Sequence, residues 1–75
     1  MNARETAMEC FNTLACYPNH ANRREIALQG WNALYESNAL LDAYQDATAR
    51  IVSDPGNAEF WRRLAGSLRK ASGMI

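Results

Sequence analysis

Apolar side chains recur at three- and four-residue intervals along nearly the whole chain, the spacing of amphipathic helices with one face turned inward. The first stripe is Ala7, Met8, Phe11, Leu14 and Ala15, with Glu5, Glu9 and Asn12 opposite, and it predicts a helix over 3–16. Asn2 with Glu5 three residues on has capping-box spacing and marks its start. Pro18 ends the run, because the residue before a proline avoids helical geometry. Asn22 with Glu25 repeats the cap signature and opens a second helix over 23–36, whose face is Ala27, Gly30, Trp31 and Leu34, widened by Ile26 and Ala33. The small Ala27 and Gly30 predict a close approach by a neighbouring helix.

A third stripe, Leu40, Ala43, Tyr44, Ala47 and Ile51, predicts a helix over 39–53. On one straight wheel the centre of the apolar face would jump by about 100° near Ser37 and Asn38, so the pattern places a break there. This helix carries a second apolar row, Leu41, Thr48 and Val52, which calls for either a central position or cover from a second chain. Asp42, Asp46 and Arg50 form a charged row opposite, with Asp46 and Arg50 spaced to pair.

The last stripe, Phe60, Trp61, Leu64, Leu68 and Ala71, predicts a helix over 55–72. Asp54 and Asn57 are both candidate N-caps, Pro55 suits a first turn, and Gly73 suits a left-handed C-terminal residue onto which Met74 can fold back towards Leu68 or Arg69. Arg62, Arg63, Arg69 and Lys70 occupy the opposite face, with Gly66 among them at a position where alanine would favour the helix by about 1 kcal/mol.

Such short helices are marginal alone, so four of them in 75 residues predict one all-α domain spanning the chain, a small antiparallel helical bundle or helical-hairpin array. Asp54-Pro-Gly-Asn-Ala-Glu-Phe-Trp-Arg-Arg-Leu-Ala65 resembles the entry to the first helix of a tetratricopeptide-type repeat, where a tryptophan is followed three residues later by leucine and then a small residue. Trp31 and Leu34 stand 30 residues before Trp61 and Leu64, so the pattern recurs. It departs from the family in its period, and Tyr35 holds the small-residue position. The resemblance covers some 20 residues well and about 45 loosely, and it implies a helical scaffold that binds peptides or proteins.

Charge changes the picture in its distribution alone. Eight basic residues balance eight acidic ones, so no overall field points to nucleic acid or an acidic substrate. Glu36 to Glu59, however, holds five acids against Arg50, whereas Phe60 to Ile75 holds four bases and no acid. No apolar run is long enough to span a membrane, and the first residues lack a signal-peptide profile, which together predict a cytoplasmic protein without membrane attachment.

Candidate chemistry is sparse. Cys10, Cys16 and His20 are the only residues that offer a metal or nucleophile cluster. A six-residue spacing puts the two thiols about 120° apart on a helix, and Cys16 sits where the helix dipole disfavours a thiolate, so both are read as free, buried cysteines. The four glycines are isolated and form no phosphate-binding loop. No catalytic residue, cofactor or metal is assigned, and the chain is read as a non-enzymatic interaction module: a small adaptor, regulator or inhibitor of a larger protein. Arg62, Arg63, Gly66, Arg69 and Lys70 are its expected partner-binding residues, toward an acidic surface, and Leu41, Thr48 and Val52 its expected self-association row. Surplus apolar side chains (Leu28, Tyr35, Leu41, Val52, Met74, Ile75) support this reading. The alternative is a nucleic-acid-binding regulator using the basic face of the last helix.

Overall fold

The structure, a computed structural model, describes residues 2–73. Four α-helices account for most of them: α1 Ala3–Cys16, α2 Arg23–Ser37, α3 Leu40–Ser53 and α4 Ala58–Ala71, with a 3-10 turn at Pro55–Asn57 before α4. No strand occurs among the described residues, and the chain is all-α as its periodicity predicts. Contacts divide it into two compact units, Met1–Ala39 and Leu40–Ile75. Each is a helical hairpin, α1 packed on α2 and α3 packed on α4.

In the first hairpin the capping box at α1 forms. The Glu5 N–H donates to Asn2 Oδ1 at 2.8 Å, and Asn2 Nδ2 returns a bond to Glu5 Oε1 at 3.0 Å. Asn2 can cap because its backbone is extended, with φ −83° and ψ 169°. Pro18 and Asn19 fill the corners of a turn closed by the His20 N–H on the Tyr17 carbonyl, and the Arg23 N–H bonds in turn to the His20 carbonyl. This second turn runs straight into α2 and leaves Asn22 at ψ 24°, where its side chain makes no cap bond. The cap expected there is therefore absent. The Asn22 N–H donates instead to Nδ1 of His20 at 3.0 Å.

The close approach expected at Gly30 is present, and Phe11 supplies it. A Cβ added to Gly30 would lie 3.1 Å from two ring carbons of Phe11 and 3.3 Å from Cys10 Cβ. Phe11 is fully buried and meets Trp31 edge to face at 5.7 Å. Ala7, Met8, Ala15, Leu34 and Ala39 complete the buried apolar set, whereas Leu14 and Trp31 are only half-buried.

The break near Ser37 and Asn38 is a Schellman turn. Asn38 adopts φ 55° and ψ 43°, its N–H reaches the Tyr35 carbonyl at 3.4 Å, and the Ala39 N–H reaches the Leu34 carbonyl at 3.0 Å. The same geometry extends α2 to Ser37 and delays α3 to Leu40.

In the second hairpin Leu40, Ala43 and Ala47 of α3 and Trp61, Leu64, Ala65 and Leu68 of α4 are buried. The predicted 55–72 helix is divided: its first turn is 3-10, and α4 proper ends at Ala71, followed by Gly73 at φ 82° as expected of a helix-terminating glycine. Met74 and Ile75, and with them the expected return of Met74 onto α4, lie outside the described residues.

Two glycines give opposite predictions for one substitution. Gly66 is exposed, with nothing within 4 Å of an added Cβ, so Gly66→Ala should raise stability by about 0.5–1 kcal/mol. Gly30→Ala makes the same propensity gain but presses on a ring held by Trp31, an overpacking cost of about 1–3 kcal/mol, so it should lower stability. Thermal denaturation of the two variants checks both signs.

Candidate interaction surfaces and the Trp61 cluster

The densest arrangement of polar groups lies where α3 passes into α4. Trp61 is fully buried, and a buried indole N–H needs an acceptor. Nε1 of Trp61 donates to Asp54 Oδ2 at 2.9 Å, and Nδ2 of Asn57 donates to the same oxygen at 3.0 Å. The Arg50 guanidinium lies 4.9 Å from the centroid of the Trp61 ring, within cation–π range, and Phe60 meets that ring edge to face at 5.1 Å. Asp54 and Asn57 are thus not the N-caps their positions suggest, and neither side chain makes a cap bond. Arg50, expected in a solvated charge row, is half-buried against the indole.

The outer face of α4 carries the predicted basic residues. Arg62, Arg63, Gly66, Arg69 and Lys70 are all exposed on this one helix. Glu59 qualifies the charge count. Its carboxylate accepts from Arg62 Nη1 at 3.3 Å and from Arg63 Nε at 3.2 Å, so a negative group sits at one end of the basic face. The sequence count missed this by assigning Glu59 to the acidic half of the chain, although its spacing of three and four residues to the arginines is a sufficient signal.

Leu41, Thr48 and Val52 form one exposed row on α3. Leu41 is 49% exposed and Val52 82%, while Leu40, Ala43 and Ala47 on the neighbouring row are closed. The Thr48 hydroxyl donates to the Tyr44 carbonyl at 2.8 Å, so its hydrogen is committed within the helix. On α2, Leu28 and Tyr35 are also exposed, as is Tyr17 in the first connection, a residue outside the expected apolar surplus.

The remaining candidates sit apart from these surfaces. Cys10 and Cys16 are both free. Cys10 is half-buried, and burial, reinforced by the Glu9 charge, raises its thiol pKa. Cys16 is exposed rather than buried, because it falls at the solvent side of the last turn of α1. His20 accepts a backbone hydrogen bond at Nδ1. Among the described residues no group of three or more His, Cys, Asp or Glu side chains is placed to hold a metal ion. Nor is any described helix long and apolar enough to cross a membrane. No protein-family model matches the chain, and no curated protein or solved structure is significantly similar to it.

The Asp54 carboxyl is held below its ordinary pKa, first by the Trp61 hydrogen bond, then by that of Asn57, with a further contribution from the Arg50 charge, against an opposing desolvation. A depressed carboxyl stabilises the fold above the unfolded-state value of about 3.9 and loses that contribution as pH falls through the lower folded-state value. Asp54→Asn keeps an acceptor oxygen but no charge. The difference in melting temperature between the parent and Asp54→Asn should therefore shrink as pH is taken from about 6 to about 2. A difference that stays constant over that range would exclude the charged bond.

Proposed function

We propose that the chain is a non-enzymatic protein–protein interaction module, a small adaptor, regulator or inhibitor that acts by covering part of a larger protein, and that it pairs with a second copy of itself through α3. The observation that carries this reading is the open apolar row on α3. One row of that helix closes the hairpin, while Leu41 and Val52 remain in water. Fully burying such side chains is worth about 1.5–3 kcal/mol each, a gain the hairpin itself does not collect. Leu41, Gln45, Thr48 and Val52 follow a four-three-four spacing, the spacing of a helix–helix seam. In an antiparallel pair with its twofold axis between Asp46 and Ala47, Leu41 meets Val52 of the other copy and Gln45 meets Thr48, so the surface is self-complementary.

The tetratricopeptide-like segment implies the same class of function, a scaffold that binds peptides or proteins, although here it leads into α4, the second helix of its hairpin, where the family's motif opens the first. The competing reading, a nucleic-acid-binding regulator, is weakened by Glu59, which brings negative charge to the basic face.

Sedimentation over a micromolar to high-micromolar range tests the pairing. The parent should show a concentration-dependent rise in mass, and the double change Leu41→Glu with Val52→Glu should remain monomeric with unaltered helix content. A monomer at every concentration removes the pairing. Binding of duplex DNA at about 50 mM salt that weakens as salt is raised, is insensitive to these changes and is lost in Arg62→Ala with Arg69→Ala would favour the nucleic-acid reading instead.

A further inference from the structure

Gly66 stands at the centre of four cations. Arg62 and Arg63 precede it by four and three residues, and Arg69 and Lys70 follow it by three and four. Those offsets are the surface neighbours of any helical residue, so the one missing side chain on this face lies where the four charges converge. Nothing in the hairpin requires the glycine, because an added Cβ would meet open space. Arg62 to Arg69 and Arg63 to Lys70 are each seven residues apart, two turns and roughly 10 Å along the axis. The face therefore presents two pairs of cations on either side of a notch one residue wide.

Building on the protein-interaction reading, we infer that this face docks an acidic α-helix of a partner protein. The partner lies along α4 with two carboxylates seven residues apart, one to each cation pair, and a small residue between them over Gly66. A second helix repeats at the same pitch as α4, so its side chains two turns apart match both pairs at once, and a small residue on each helix lets the two axes approach closely. The preference for carboxylates has a precedent on the face itself: Glu59 accepts from both Arg62 and Arg63. A chain with no net charge supplies no long-range attraction to a polyphosphate.

An internal competitor follows from this geometry. Glu59 already occupies Arg62 and Arg63, whereas no ion pair to another described residue engages Arg69 or Lys70. Changing Arg69 and Lys70 to Ala should therefore weaken partner binding more than changing Arg62 and Arg63, and Glu59→Gln should strengthen it.

The test uses the full chain and a synthetic helical peptide with two glutamates seven residues apart and alanines between them, titrated at about 50 mM salt. Its controls are a scrambled peptide of equal composition and a duplex DNA. The parent should bind the peptide at least about tenfold more tightly than the scrambled one. Gly66→Leu should lose about tenfold or more while melting at the same or a higher temperature, and Glu59→Gln should gain severalfold. No binding, equal binding of the scrambled peptide, or undiminished binding by Gly66→Leu overturns the inference, and tighter binding of duplex DNA replaces it with nucleic-acid recognition. The Leu41→Glu and Val52→Glu changes should leave peptide binding intact, so failure of the α4 site and failure of the α3 pairing are read separately.

Discussion

A tryptophan cannot be buried whole without an acceptor for its indole N–H, and the second hairpin is arranged around meeting that need. Trp61 is the largest side chain in the interior. Its acceptor, Asp54, lies seven residues earlier in the connection between α3 and α4, so the hydrogen bond fixes how the chain turns as well as what fills the core. Asn57 holds the same carboxylate oxygen from inside the 3-10 turn, and the Arg50 guanidinium lies over the ring from the last turn of α3. Four residues spaced four, three and four apart thus link the end of one helix, the turn and the start of the next. Among the described residues of the first hairpin no polar side chain is buried. That hairpin closes by shape, with the Phe11 ring set against the bare backbone of Gly30.

How far this was legible depends on whether the signal is local. The stripes placed all four helices, since the side chains a helix buries are set by its own period. The Asn2 cap was legible because a residue entering from extended chain reaches the third helical N–H without help from elsewhere. Asn22, Asp54 and Asn57 looked the same in sequence and do not cap. Asn22 and Asn57 are reached through tight turns and Asp54 directly from the end of α3, and their backbones, at ψ 24°, 21° and 67°, are no longer extended, so the side chain makes no cap bond. The Trp61 to Asp54 bond was not legible, because a carboxylate next to a helix start reads equally as a cap or as a partner for a side chain two turns on. The break before α3 was visible as a phase shift. Its mechanism, a left-handed Asn38, belongs to the few residue types that tolerate that conformation and could have been read from the Ser37-Asn38 pair.

The surface charges divide along the same line between packing and its absence. Arg50 is an arginine of the fold: its guanidinium lies on the buried indole and near the carboxylate that the indole holds. The arginines of α4 have no such task. Exposed pairs such as those of Glu59 with Arg62 and Arg63 contribute about 0–1 kcal/mol, and the cations of the last turn add a comparable amount by complementing the helix dipole.

The helix therefore keeps its buried side chains on one face and its charge on the other, and substitutions on the charged face should have little effect on whether it folds. Gly66 sharpens the division, for it is the one residue of that face that works against the helix. Leu28, Tyr35, Leu41 and Val52 pose the matching question on α2 and α3, where the unmet demand is for burial rather than for countercharge. A partner that satisfies both demands must be apolar against α3 and acidic against α4. Those are requirements on two different surfaces, so the pairing proposed for α3 would leave the face of α4 free.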